Sequence, residues 1–186
     1  MKFAASEKYR KYLICLRLGT FYGYVIWGTD MRDEETDKFF LKYEKILFLT
    51  KLHNIRNELK PNTTFTDEYN FQKWVESDEV FKIYSENDFS AMKDFSKYSL
   101  NDKKLGNNLI NSINLIRDYS LQVQNDLLNK CLDSEAMQEL FDYLYNEYFW
   151  KKKEGIENKI DNSNIQTIAL ELKNIWELFS KQLLVI

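Results

Sequence analysis

Apolar residues recur at helical spacing along much of the chain, most clearly near its end. Ile165, Ile168, Leu172, Ile175 and Phe179 alternate steps of three and four, which lays one apolar stripe along a single helix. Ser163 and Gln166 stand just ahead of it in the spacing of a capping box. The chain closes on Leu183-Leu184-Val185-Ile186, too apolar to hang in water and so expected to dock. A second long helix is predicted from about Leu100 to Cys131, with Leu109, Ile113, Ile116, Val123 and Leu127 facing inward. Gly106 is a candidate kink in its first turns. Asn111, Asn114, Asp118, Gln122 and Asn125 form a polar stripe expected to face solvent. A third helix starts at Ser134 and buries Met137, Leu140, Phe141, Leu144, Tyr148 and Phe149. It closes on Lys151-Lys152-Lys153, cations that complement the helix dipole, with Gly155 just beyond.

Upstream, Glu34 to Lys60 reads as one more long helix, with Phe39, Phe40, Tyr43, Ile46, Leu47 and Ile55 among its apolar positions. Pro61, the only proline, stops it. Residues 66–98 read as short helices that begin at a Thr66 cap and carry Phe71, Trp74, Val75, Phe81, Tyr84, Phe89 and Phe95. The first thirty residues admit two readings. Tyr9, Tyr12, Leu13 and Leu16 suit a helix capped by Ser6, the favoured one because β-branched residues are sparse. The alternative pairs Tyr12–Leu18 with Phe21–Trp27 across Gly19-Thr20 as a β-hairpin. No internal repeat or low-complexity tract marks a boundary. The expected fold is therefore mainly α, a single globular helical domain over residues 1–186. It is a bundle of about five to seven helices, with the N-terminal β-hairpin as the open alternative.

Composition changes the picture chiefly by what it removes. One His, two Cys, one Pro and five Gly leave few parts for an active site or a metal centre. Zinc takes four ligands, usually in close pairs, and there is no CxxC and a single imidazole, His53. No calcium-loop spacing is present. Glu34-Glu35-Asp37 and Asp67-Glu68 lie near predicted helix starts, where acids complement the dipole. The glycines make neither phosphate-binding loop. Cys15 and Cys131 read as ordinary buried thiols. No catalytic residue, metal or cofactor is predicted. Glu7 follows the start too soon for an export signal, and the longest uncharged stretch, Leu18 to Thr29, is twelve residues, too short to span a bilayer. The expected location is the cytoplasm, with no membrane partner.

Net charge is −3, but residues 61–102 hold nine Asp/Glu against four Lys/Arg. That balance argues against nucleic acid, whose phosphates need Lys and Arg, and favours a basic protein. Within this stretch Trp74, Phe81, Tyr84 and Phe89 interleave with Asp78, Glu79, Glu86 and Asp88. Taken singly, each ring reads as core. Taken together, aromatic anchors flanked by charge are what a tight interface uses. In this character the chain resembles the immunity proteins of bacterial polymorphic-toxin and contact-dependent inhibition systems. These are compact, often acidic, cytoplasmic, and occlude a toxin's active or substrate-binding face. The resemblance implies a protein-binding inhibitor of a basic, nuclease-type toxin domain. Asp67, Glu68, Trp74, Asp78, Glu79, Tyr84, Glu86 and Asp88 would be its contact residues.

Two alternatives stand beside it. One is a helical scaffold or assembly subunit. The other rests on Arg56-Asn57, which resembles the start of the HEPN motif of helical domains that include RNA-cleaving toxins. That motif places a histidine shortly after the arginine. Here Lys60, Pro61 and Asn62 fill that window, and the sole histidine, His53, precedes the arginine.

Overall fold

A computed structural model describes residues 4–97, 102–148, 160 and 162–186, and it corrects the mainly α expectation. Of the described residues, 53% are helical and 23% lie in strands, which form one sheet of four strands and one of three. The fold is α/β. Contacts group the chain into two compact units, Met1–Asn87 with Gln182–Ile186, and Asp88–Lys181.

The first unit holds the strands. A short helix α1 (Ala5–Tyr9) leads into β1 (Lys11–Leu18), and β2 (Phe21–Asp30) returns antiparallel with Leu13 opposite Ile26 and Tyr12 opposite Trp27. The hairpin alternative is the correct one. Gly19 opens its two-residue loop at φ 80°, the conformation that a type II′ turn reserves for glycine. Leu13, Ile14, Cys15 and Leu16 are all buried, a run filled on both faces of a strand. Any such run also matches part of a helical stripe, which is why the helical reading competed.

The predicted helix Glu34–Lys60 is likewise replaced by strands, β3 (Thr36–Phe39), β4 (Leu41–Lys42) and β5 (Lys45–Phe48), with only α2 (Ile55–Glu58) helical. Glu34 and Glu35 take left-handed φ values of 50° and 54° just before β3. Tyr43 and Glu44 take 53° and 62° in the two-residue loop between β4 and β5, as a type I′ turn requires. No helix passes through such positions.

After α3 (Glu68–Glu76) and a 3-10 turn (Asp78–Phe81) comes β6 (Ile83–Asp88), a strand where only short helices were expected. It completes the order β3-β2-β1-β6, so β6 is a terminal strand. The last strand, β7 (Leu183–Val185), runs parallel to β5, which is how the apolar terminus docks. Leu13 and Ile26 on one face of β1–β2 join Phe40, Leu47, Leu49, Ile55, Leu59, Phe65, Phe71, Trp74, Val75 and Val80 in one core cluster.

The second unit is helical: α4 (Ser90–Lys93), a 3-10 turn (Phe95–Lys97), α5 (Lys103–Gln122), α6 (Asp126–Leu132), α7 (Glu135–Tyr148) and α8 (Asn162–Ser180). Of the predicted stripe, Ile168, Leu172, Ile175 and Phe179 are fully buried on α8, as their spacing predicts, and Ile165 is half-buried. Met137, Leu140 and Leu144 are buried on α7. The long helix predicted to Cys131 is two helices. Gln124, at φ 52°, breaks it, and the Asn125 side chain caps α6 by accepting the Leu128 N–H. Leu127, expected inward, is therefore turned out and is 64% exposed. Gly106 is a point of close approach, where a side-chain carbon would collide with the Tyr148 ring. The lysines and glycine at 151–155 and Phe149 lie outside the described residues, as does the side chain of Ser163. Both cysteines are free, Cys15 buried and Cys131 half-buried.

Candidate partner-binding edge

The eight expected contact residues separate into two groups. Trp74 is fully buried in α3, where its indole N–H donates to Ser6 Oγ at 3.0 Å. Asp67 is 1% exposed and paired with the equally buried Lys11. Neither reaches the surface, which corrects their assignment as contacts. Asp88 ends β6, and its carboxylate accepts the Ser90 N–H at 2.9 Å as a local cap. Glu68 is exposed at the first position of α3. The remaining four, Asp78, Glu79, Tyr84 and Glu86, come together along the 3-10 turn and β6.

That edge also exposes two apolar residues outside the expected set. Phe81 is 41% exposed, Ile83 43% and Tyr84 59%. The Arg56 guanidinium lies over the Phe81 ring at 5.0 Å. The same guanidinium donates to the carbonyl oxygens of Val75, Glu76 and Ser77 at 3.0, 3.3 and 3.0 Å, closing the C-terminal end of α3. Arg56 is thus spent on backbone, while His53 sits exposed in the turn before α2. The acids are largely matched. Glu79 takes Lys82 at 2.6 Å, and Glu86 takes the Arg17 guanidinium through two nitrogens at 3.1 and 3.2 Å. Among the described residues, Asp78, its side chain 97% exposed, has only a 3.7 Å approach from Arg56.

Behind the sheet lies a buried ionic network with no counterpart in the sequence-based expectations. Lys11 Nζ donates to Asp67 Oδ2 at 2.9 Å, to the Thr29 carbonyl at 2.6 Å and to the Tyr9 carbonyl at 3.2 Å. Burial lowers its pKa against the opposing pull of Asp67. Space for its stem comes from Gly28, directly opposite, where a side-chain carbon would strike the Arg10 carbonyl and the lysine itself. Asp30, also fully buried, accepts from Thr66 N–H (2.8 Å), Thr66 Oγ1 (2.9 Å), Asp67 N–H (3.2 Å) and Lys38 Nζ (3.3 Å). Thr66, expected as a helix cap, is instead part of this network.

Burial alone would raise the Asp30 pKa. The Thr66 donors, Lys38 and the Arg32 N–H outweigh it and hold the carboxyl below its ordinary 3.8. A depressed folded value means that this stabilisation is complete above 3.8 and is lost as pH falls through the folded value. In acid titrations followed by circular dichroism, Asp30→Asn is therefore expected to be less stable at neutral pH and to lose stability less steeply below pH 3.8. An unchanged acid slope would remove Asp30 from the proton linkage.

Among the described residues no group of His, Cys, Asp and Glu is placed to hold a metal ion, and no helix is long and apolar enough to cross a membrane. In the second unit, an open groove of about 420 Å³ is lined by Phe141, Asp142, Tyr145 and Asn146 on α7.

No family model matches this chain, and neither does any curated protein. Among solved structures it is similar to the crystal structure of the SatS C-terminal domain in complex with bromine. The TM-score is 0.66 over 97% of this chain and 96% of that one, at 11% sequence identity. A likeness at that identity concerns the fold alone, and it carries the mixed α/β architecture.

Proposed function

We propose that this chain is a protein-binding inhibitor that grips its partner along the outer edge of β6. The partner is a basic, toxin-type domain in the cytoplasm whose active or substrate-binding face the bound chain covers. The observation that carries this reading is exposed Phe81, at the end of the 3-10 turn, followed by exposed Ile83 and Tyr84 at the start of a terminal strand, rimmed by Asp78 and Glu86. Natural edge strands are usually short, bulged or guarded by charge, because their free backbone groups recruit other chains. This one runs six residues and shows apolar side chains at its start. An added strand gains main-chain hydrogen bonds there, and the rings anchor it. Because Arg17 and Lys82 already answer Glu86 and Glu79, long-range attraction contributes less than the acidic stretch alone implies, and the apolar edge contributes more.

The test begins with capture of the partner from the native cell, then calorimetry on the purified pair. A one-to-one complex is expected. Ile83→Lys should weaken it about tenfold or more, as loss of a central anchor does. Tyr43→Lys, at the 82% exposed tip of the β4–β5 loop, should leave it unchanged. Equal affinity across all three proteins, or capture of nothing, would overturn the reading.

A further inference from the structure

The three-stranded sheet has two terminal strands, β4 and β7, and they are finished differently. On β4 the outward backbone of Leu41 is already taken. Its N–H donates to Thr64 Oγ1 at 2.8 Å, and its carbonyl accepts from Thr63 Oγ1 at 2.6 Å. On β7 the ladder to β5 uses alternate residues. The Gln182 carbonyl accepts the Ile46 N–H, the Ile186 N–H donates to the Phe48 carbonyl, and the Ile186 carbonyl accepts the Thr50 N–H, each at 2.9 Å. Leu183 and Val185 therefore turn their N–H and C=O groups away from β5. Among the described residues those outward groups have no hydrogen-bond partner.

The side chains beside this edge are apolar on one face. Val185 stands opposite Phe48 in the parallel register, and Phe21 stacks on Phe48 with centroids 5.2 Å apart. Val185 and Phe21 are 53% and 43% exposed. Residues alternate across a strand, so Lys45 projects on the face opposite Ile46 and Phe48. Lys45 is exposed at the start of β5, and exposed Lys51 follows Thr50 just past its other end. Among the described residues neither lysine makes an ion pair, not even Lys45 with Glu44 in the adjoining turn.

We propose that β7 is a second docking edge, which takes an extended, acidic segment of another protein. An added strand gives main-chain partners to Leu183 and Val185. Its apolar side chains lie against Val185 and Phe21, and its alternate positions turn carboxylates to the side from which Lys45 projects. The occupant is thus a strand in which apolar and acidic residues alternate. Both lysines flank β5, one strand in from the edge, so they stand about 10 Å from the added strand. That is roughly one Debye length, so their attraction amounts to a few-fold in affinity rather than decades. This inference does not rest on docking along β6, which belongs to the other sheet.

The probe is the peptide acetyl-Val-Asp-Val-Glu-Val-Asp-Val amide, titrated into the isotope-labelled full chain and followed by amide NMR. The control carries Asn and Gln at its acidic positions. The acidic peptide should shift the Leu183 and Val185 amide signals and bind about threefold or more tighter than the control. Lys45→Gln combined with Lys51→Gln should erase that preference. Val185→Glu, at an exposed position, should weaken the acidic peptide more than the neutral one. Ile83→Lys, on β6, should leave peptide binding unchanged. Equal binding of the two peptides, a preference that survives loss of both lysines, or no shift at all would each overturn the proposal. Shifts that avoid β7, or binding lost in Ile83→Lys, would place the peptide elsewhere and overturn it too. Leu183 and Val185 signals that move when the chain alone is diluted would give the edge to a second copy instead.

Discussion

Replacing Lys11 with alanine is expected to cost on the order of 3–5 kcal/mol, because it strands a charge rather than removing a pair. Lys11 is 0% exposed and Asp67 1% exposed, so water cannot replace the lost ammonium. The Thr29 carbonyl would lose its 2.6 Å donor as well. Asp67 is already poorly served. Lys11, Met31 N–H and Asn70 all converge on its Oδ2, and its buried Oδ1 has no hydrogen-bond partner among the described residues. Truncation therefore leaves a carboxylate with two weak contacts at 3.3 Å. The double variant Lys11→Met, Asp67→Leu should recover part of the loss, since two apolar groups of similar volume carry no stranded charge. Urea unfolding of Lys11→Met, Asp67→Leu and the double gives the coupling directly, with an expected value of about 2 kcal/mol. Single variants within about 1 kcal/mol of the parent, with no coupling, would mean that the pair is not closed off from water.

The helical unit was legible because its elements bury one face each, and period alone then identifies them. Ile168, Leu172, Ile175 and Phe179 are an example: every residue between them has some exposure, so the stripe stands out. The strand-bearing unit hid itself for the opposite reason. Ile46, Leu47, Phe48 and Leu49 are all buried in a row, and a two-sided strand has no alternation to display. Its turns rest on Tyr43-Glu44 and Glu34-Glu35 in left-handed conformations, at residues that carry none of the usual glycine signal. Gly19-Thr20 did carry it, and the hairpin was the one strand pair within reach of the sequence.

The candidate site was legible in part. Asp78, Glu79, Tyr84 and Glu86 fall together because one turn and one strand are contiguous in sequence. Ile83 could not be distinguished from core, since the order Ile-Tyr-Ser-Glu-Asn-Asp shows no period-two pattern. Lys11 and Asp67 lie 56 positions apart, and no local pattern marks a lysine destined for the interior.

Trp74 shows how the same ring type divides between core and edge, and Trp74→Ala is expected to lower stability by about 3–5 kcal/mol. The ring is 0% exposed and packs beside Phe71, with centroids 6.3 Å apart, in the cluster that includes Val75 and Val80. Its loss opens a cavity under α3 and leaves the Ser6 hydroxyl without its 3.0 Å donor. Trp74→Phe keeps most of the volume and forfeits the hydrogen bond, so it should cost about 1 kcal/mol. Neither change touches the β6 edge, so the folded fraction of each variant should bind the partner with parental affinity. Tyr84→Ala should do the reverse, leaving stability nearly intact while weakening the complex. The two residues stand ten positions apart in one acidic, aromatic stretch. A Trp74→Ala protein of parental stability that fails to bind would place the indole in the interface and move the contact surface from β6 to α3.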